Sequence, residues 1–130
     1  MERLMGSQPP PVPMDRALND DEWATCVAWV LLWPRFNPQL DRLIAGEFLP
    51  KLLGQDSGRW GQFNARNGGG AAIHRRLAEI CFRWSVLGLV VPIGDQTWAL
   101  TARGRQILRD TWEERRSCWR TAVSCPGSRA

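Results

Sequence analysis

Between residues 71 and 108 the hydrophobic period changes twice, and this double change limits what the chain can fold into more than any other feature. From 71 to 87 apolar residues fall at Ile73, Leu77, Ile80, Cys81, Trp84 and Leu87. At helical spacing these six lie within about 120° of arc, which predicts an amphipathic helix. Residues 89–93 and 97–100 then read as two short apolar strands about a tight Gly94-Asp95 turn. Thr101 suits the N-cap of a last helix running to about residue 122. Ile107, Leu108, Trp112 and Trp119 share one side of it, and Gly104 permits close packing near its first turn. The predicted order is helix, hairpin, helix.

The upstream half reads as two helices and a loop. Residues 1–18 are aperiodic and include Gln8-Pro9-Pro10-Pro11-Val12-Pro13, so a flexible or polyproline-like arm is expected. Asn19 caps a first helix, with Glu22 placed to close a capping box and Pro34 stopping the helix after Trp33. Its stripe is Trp23, Cys26, Val27, Val30 and Leu31; the acids Asp20, Asp21 and Glu22 suit the positive end of the helix dipole better than a metal site. Asn37-Pro38 starts a second helix that carries Leu40, Leu43 and Ile44 inward. Pro50 is expected to divide it, with a bend at Gly46 and an end at Gly54. Residues 55–70, rich in glycine, read as a long loop with room for one helical turn; a loop of this length is either functional or hides an element. The fold class is therefore mainly α with one small β-hairpin: an arm at 1–18, a domain at 19–123 with three helices, the hairpin and a long C-terminal helix, and a frayed tail at 124–130.

Composition excludes several function classes. With 44% apolar residues in 130, the chain can bury a real core, and wholesale disorder is ruled out. Of the seventeen cations all but Lys51 are arginine, whose planar fork matches phosphates and guanine edges. A GC-rich coding sequence yields the same bias. Charge is uneven: residues 19–54 are net acidic, and the cations gather from residue 55 onward. The cysteines Cys26, Cys81, Cys118 and Cys125 form no C-x-x-C pair, and His74 is the single histidine, so neither a zinc site nor a disulfide framework is expected. A reduced, cytoplasmic protein is the plain expectation. The first residues lack a signal-peptide core, and the apolar run at 27–33 is too short to span a bilayer. With no nucleophile and base pair, metal cluster or phosphate loop in the sequence, neither an enzyme nor a cofactor is expected.

Leu87-Gly88-Leu89-Val90, the hairpin, and Trp98-Ala99-Leu100-Thr101-Ala102-Arg103-Gly104-Arg105-Gln106-Ile107-Leu108 resemble the wing and following helix of bacterial and phage winged helix-turn-helix proteins. The resemblance spans residues 71–108. It implies a DNA-binding protein, such as a transcriptional regulator or mobile-element factor, that works on double-stranded DNA; Trp112 and Trp119 exceed what a monomer needs to cover, so a homodimer through the C-terminal helix is expected as well. The 71–87 helix would be the recognition helix, turning His74, Arg75, Arg76, Glu79 and Arg83 to the major groove. Two features depart from the family pattern: the wing tip Gly94-Asp95-Gln96 has no cation, and the link into the recognition helix is longer than three or four residues. Both departures would suit a winged-helix module that docks a protein partner instead of DNA.

Other positions carry two readings each. Arg59, Trp60, Phe63 and Arg66 interleave cations and aromatics as single-strand binders do, or the rings anchor the loop to the core. Asn67-Gly68-Gly69-Gly70 could approach a phosphate, but as a flexible hinge it needs no ligand. Phe82 sits opposite the apolar stripe of its helix, so it either lies under the Trp60 and Phe63 loop or meets a partner. Phe82, Trp112 and Trp119 are the expected interface residues.

Overall fold

The computed structural model describes residues 10, 12–33, 42–54 and 56–115. In chain order the elements are α1 (Asp20–Leu32), β1 (Arg42–Ile44), a single 3-10 turn (Ala45–Glu47), α2 (Phe48–Leu53), α3 (Ser57–Arg66), α4 (Gly70–Val86), β2 (Val90–Gly94), β3 (Thr97–Leu100) and α5 (Ala102–Asp110). The three strands form one antiparallel sheet in the order β1-β3-β2. The architecture is mainly helical with a small sheet, and four helices, not three, precede the hairpin among the described residues.

α1 is the centre of the molecule. Its capping box forms as its sequence dictates: Asn19 Oδ1 accepts from the Glu22 N–H at 2.8 Å, and Glu22 Oε1 accepts from the Asn19 N–H at 2.9 Å. The helix buries more than the expected stripe, because Thr25, Ala28, Trp29 and Leu32 are covered as well. A helix that is apolar nearly all round has to be enclosed, and α1 contacts α2, α4, α5 and β1. Part of the segment expected to be a free arm is also tied down. Val12 and Leu18 join the core, and the Leu18 N–H donates to Asn67 Oδ1 at 3.0 Å.

The expected second helix is replaced at 42–44 by β1. Leu43 is fully buried opposite Trp98 of β3, and Ile44 lies opposite Thr97, so cross-strand pairing overrides the helical spacing of these residues. The Asn37-Pro38 start and Leu40 lie outside the described residues. Pro50 does not divide a helix but sits in the first turn of α2, where the missing N–H has no intrahelical partner to lose. Gly54, at φ +73°, does end α2.

The expected loop at 55–70 is mostly α3. Asp56 caps it by accepting from the Gly58 and Arg59 N–H groups at 3.1 and 3.4 Å. Its inward side is held by Phe63, fully buried edge-on to Trp23 at 5.7 Å, and by Trp60, whose Nε1 donates to Gly54 O at 3.1 Å. Both rings therefore anchor α3 to the body.

The end of α4 and the start of α5 lock together. Gly88, at φ +81°, lets the Leu89 N–H reach Trp84 O at 2.9 Å and its own N–H reach Ser85 O at 3.1 Å, the paired bonds of a Schellman ending. Thr101 Oγ1 accepts from the Gly104 N–H at 2.9 Å and donates to Gly88 O at 2.7 Å. A Cβ on Gly104 would stand 1.9 Å from Leu89 O, so only glycine fits there. The hairpin turn falls at Asp95-Gln96, with Gln96 at φ +56°, while Gly94 still belongs to β2. α5 is described to Asp110, with a further helical turn at 112–115; the remainder of the expected long helix lies outside the described residues.

Candidate functional site

α3 and α4 are joined by the three residues Asn67-Gly68-Gly69. Gly68 and Gly69 have φ of +89° and +93°, a conformation that side chains rarely adopt, and the Gly69 N–H donates to Asn64 O at 2.7 Å. The glycines thus build a tight turn where a flexible hinge was the expectation. With α3 present, the long link expected ahead of the 70–86 helix shortens to the length of an ordinary helix-turn-helix connection.

Beside this turn lies a cleft of about 240 Å³, lined by Leu18, Trp23, Arg66, Arg75, Arg76 and Glu79 among others. Three of the expected DNA-binding arginines therefore converge, brought together from two helices. Their states differ. Arg66 Nε donates to Met14 O at 3.3 Å, Arg76 pairs with Asp20 at the start of α1, and Arg75 has no ion-pair partner among the described residues. Glu79 shares the α4 face of Arg75 and Arg83 at intervals of four, and no ion pair among the described residues joins it to them. Just beyond the cleft, Arg16 grips the buried Glu22 through both guanidinium nitrogens, at 2.8 and 2.6 Å. Burial works to raise the Glu22 carboxyl, but the Arg16 bonds and the Asn19 N–H outweigh it and hold it below the usual carboxylate range.

The remaining candidates are dispersed. His74 is on the opposite flank of α4 from Arg76 and lines a second cavity of about 260 Å³ with Phe48, Pro50, Trp60, Asn64 and Ile73. Arg59 is half-buried in the first turn of α3, and Arg83 is exposed farther along α4. Asp95 stands exposed at the hairpin tip. Among the described residues no group of three histidine, cysteine or acidic side chains could hold a metal ion, and no helix is long and apolar enough to cross a membrane.

The interface candidates separate. Phe82 is 71% exposed and so does not lie under Trp60 and Phe63. Leu87, expected in the inward stripe of α4, is also exposed because it occupies the helix C-cap. With Val86, Val91 and Ile93 they make five exposed large apolar side chains within residues 82–93. Trp112, by contrast, is buried within its own chain, its ring 4.9 Å from that of Trp33. It is core, not contact surface, and Trp119 lies outside the described residues.

Sequence reasoning missed Asp20 as the partner of Arg76. The two are 56 positions apart, and no local pattern joins them. Comparison with protein-family models, with curated proteins and with solved structures finds no match to this chain.

Proposed function

We propose that this chain is a winged-helix DNA-binding protein that engages double-stranded DNA with the outward face of α4. The observation that carries the reading is the convergence of Arg66, Arg75 and Arg76 beside a three-residue turn that leads into the helix preceding the hairpin. The element order and the β1-β3-β2 sheet support the same reading, as do Leu100, Thr101, Gly104 and Leu108. Each of these four has a defined structural duty at the position where the winged-helix resemblance expects it. A regulator built this way contacts backbone phosphates with the arginines of the cleft and turns Glu79 and Arg83, farther along α4, toward base edges. Trp112 lends nothing to a homodimer through the C-terminal helix, since its ring is covered by Trp33.

Fluorescence anisotropy with a mixed-sequence duplex tests the proposal. Binding at low salt should weaken steeply as salt rises, because each neutralised phosphate releases counterions. The double variant Arg75→Ala, Arg76→Ala should lower affinity at least tenfold, about 1.4 kcal/mol or more, through loss of two charge-assisted contacts. No binding at high micromolar protein overturns the reading.

A second reading, a winged-helix module that docks a protein partner, rests on the apolar residues Phe82, Val86, Leu87, Val91 and Ile93 together with the acidic hairpin tip. It predicts that Phe82→Ser abolishes capture of a nuclease-resistant partner while leaving duplex binding unchanged.

A further inference from the structure

We propose that the Arg66, Arg75 and Arg76 cleft is the seat of a single DNA-backbone phosphate, and that Asp20 occupies Arg76 as a built-in competitor for it. The inference rests on the DNA-binding reading and adds a site and its restraint. The cleft presents three guanidinium groups in three states. Arg75 is unpaired among the described residues, Arg66 gives its Nε to the neutral Met14 carbonyl, and Arg76 holds the Asp20 carboxylate. A phosphodiester shares its charge over two non-bridging oxygens that the forked donors of arginine can engage together, whereas Asp20 meets Arg76 through one carboxylate oxygen alone.

Asp20 is well placed to yield. Its side chain is 74% exposed and that of Arg76 is 39% exposed, so the pair stands in solvent, where ion pairs contribute little and exchange readily. The α1 cap does not depend on Asp20, because Asn19 and Glu22 supply it. Arg16 and Glu22 neutralise each other nearby, and Glu79 is the anionic side chain that lines the cleft itself, with Asp20 reaching Arg76 from the start of α1. In the free protein the carboxylate at Asp20 therefore holds Arg76 in position and subtracts from its attraction for DNA. On binding, the phosphate replaces the carboxylate and Asp20 turns to solvent.

The test compares Asp20→Asn with Asp21→Asn, each removing one negative charge from neighbouring exposed positions of the same helix turn. With a fluorescein-labelled mixed-sequence 20-base-pair duplex, Asp20→Asn should tighten binding roughly three- to tenfold and Asp21→Asn by less than twofold, since general screening weakens distant exposed charges. Arg76→Ala should weaken binding, flatten the salt dependence by about one unit of slope, and remove the gain from Asp20→Asn when the two are combined. Circular dichroism melts verify that each variant keeps the fold. Equal gains from the two asparagine variants, or a gain that persists without Arg76, overturn the cleft proposal while leaving DNA binding intact. Failure of the wild type and Asp20→Asn alike to bind the duplex overturns both.

Discussion

A single methyl group at position 104 would meet the Leu89 carbonyl oxygen at 1.9 Å, and this contact decides how α5 sits on the rest of the molecule. Backbone cannot give way as the far end of a side chain can, so Gly104→Ala should destabilise the fold on the order of 3 kcal/mol, the upper part of the overpacking range. Urea titration reads this as a lower midpoint at an unchanged slope. Lys51 makes a different residue-scale case. It is 2% exposed, and Glu47, one helical turn away at 3.4 Å, is its ion-pair partner. Removing a buried charge with its own side chain is benign, whereas removing only its partner strands it. Lys51→Met should thus leave stability within about 1 kcal/mol of wild type, and Glu47→Gln should lower it by roughly 2 kcal/mol, less than for a fully buried pair because Glu47 is half-exposed. Equal losses in the two variants would mean that Glu47→Gln leaves no stranded charge behind.

Among elements, the junction of α4, the hairpin and α5 is the most self-contained. Thr101 serves both sides of it, capping α5 through Gly104 and tying the end of α4 through Gly88. Thr101→Ala removes a cap and leaves a carbonyl short of a donor, so a loss of about 2 kcal/mol is expected, and Thr101→Ser should recover most of it. Thermal melts of the two variants check this order. The same locality made these elements legible in the sequence. Asn19 with Glu22, Gly88 with Leu89, and Thr101 with Gly104 all act within a few residues, so α1, α4, the hairpin and the start of α5 follow from caps and period. β1 does not, because Leu43 becomes a strand residue only against Trp98, far along the chain. α3 was obscured by Gly58 and Gly61, poor helix formers that the Asp56 cap and the inward Trp60 and Phe63 compensate. The cleft inherits that difficulty. Arg75 and Arg76 were identifiable on their helix, but their meeting with Arg66 requires α3 and the Gly68-Gly69 turn, and the Asp20 partner requires the tertiary fold.

For the whole molecule, enclosure of α1 links stability to pH through thiols that take no part in binding. Cys26 in α1 and Cys81 in α4 are both fully buried and free. Burial pushes the Cys81 thiol up to about 12 and Cys26 well above its ordinary value of 9.0, Cys26 also feeling the Glu22 carboxylate. A raised folded value means that the native state keeps the proton while the unfolded chain gives it up. For Cys81 the resulting stabilisation is complete below about pH 8 and is lost as pH rises from about 9 to about 12, by roughly 1.4 kcal/mol per pH unit, and Cys26 acts in the same direction. Urea midpoints measured from pH 8 to 10.5 should therefore fall, and Cys81→Ala, although less stable at pH 8 because of its cavity, should fall less steeply over the same window. Parallel slopes for the variant and the wild type would assign the alkaline loss to other groups. The Cys26 and Cys81 thiols should also resist an aromatic disulfide reagent at pH 8 until the chain unfolds, read in a Cys118→Ser, Cys125→Ser background, because their reactive thiolate is absent and the two sulfurs are enclosed. Reactivity of Cys26 in the native state would mean that α1, the element on which α2, α4, α5 and β1 are assembled, opens without global unfolding.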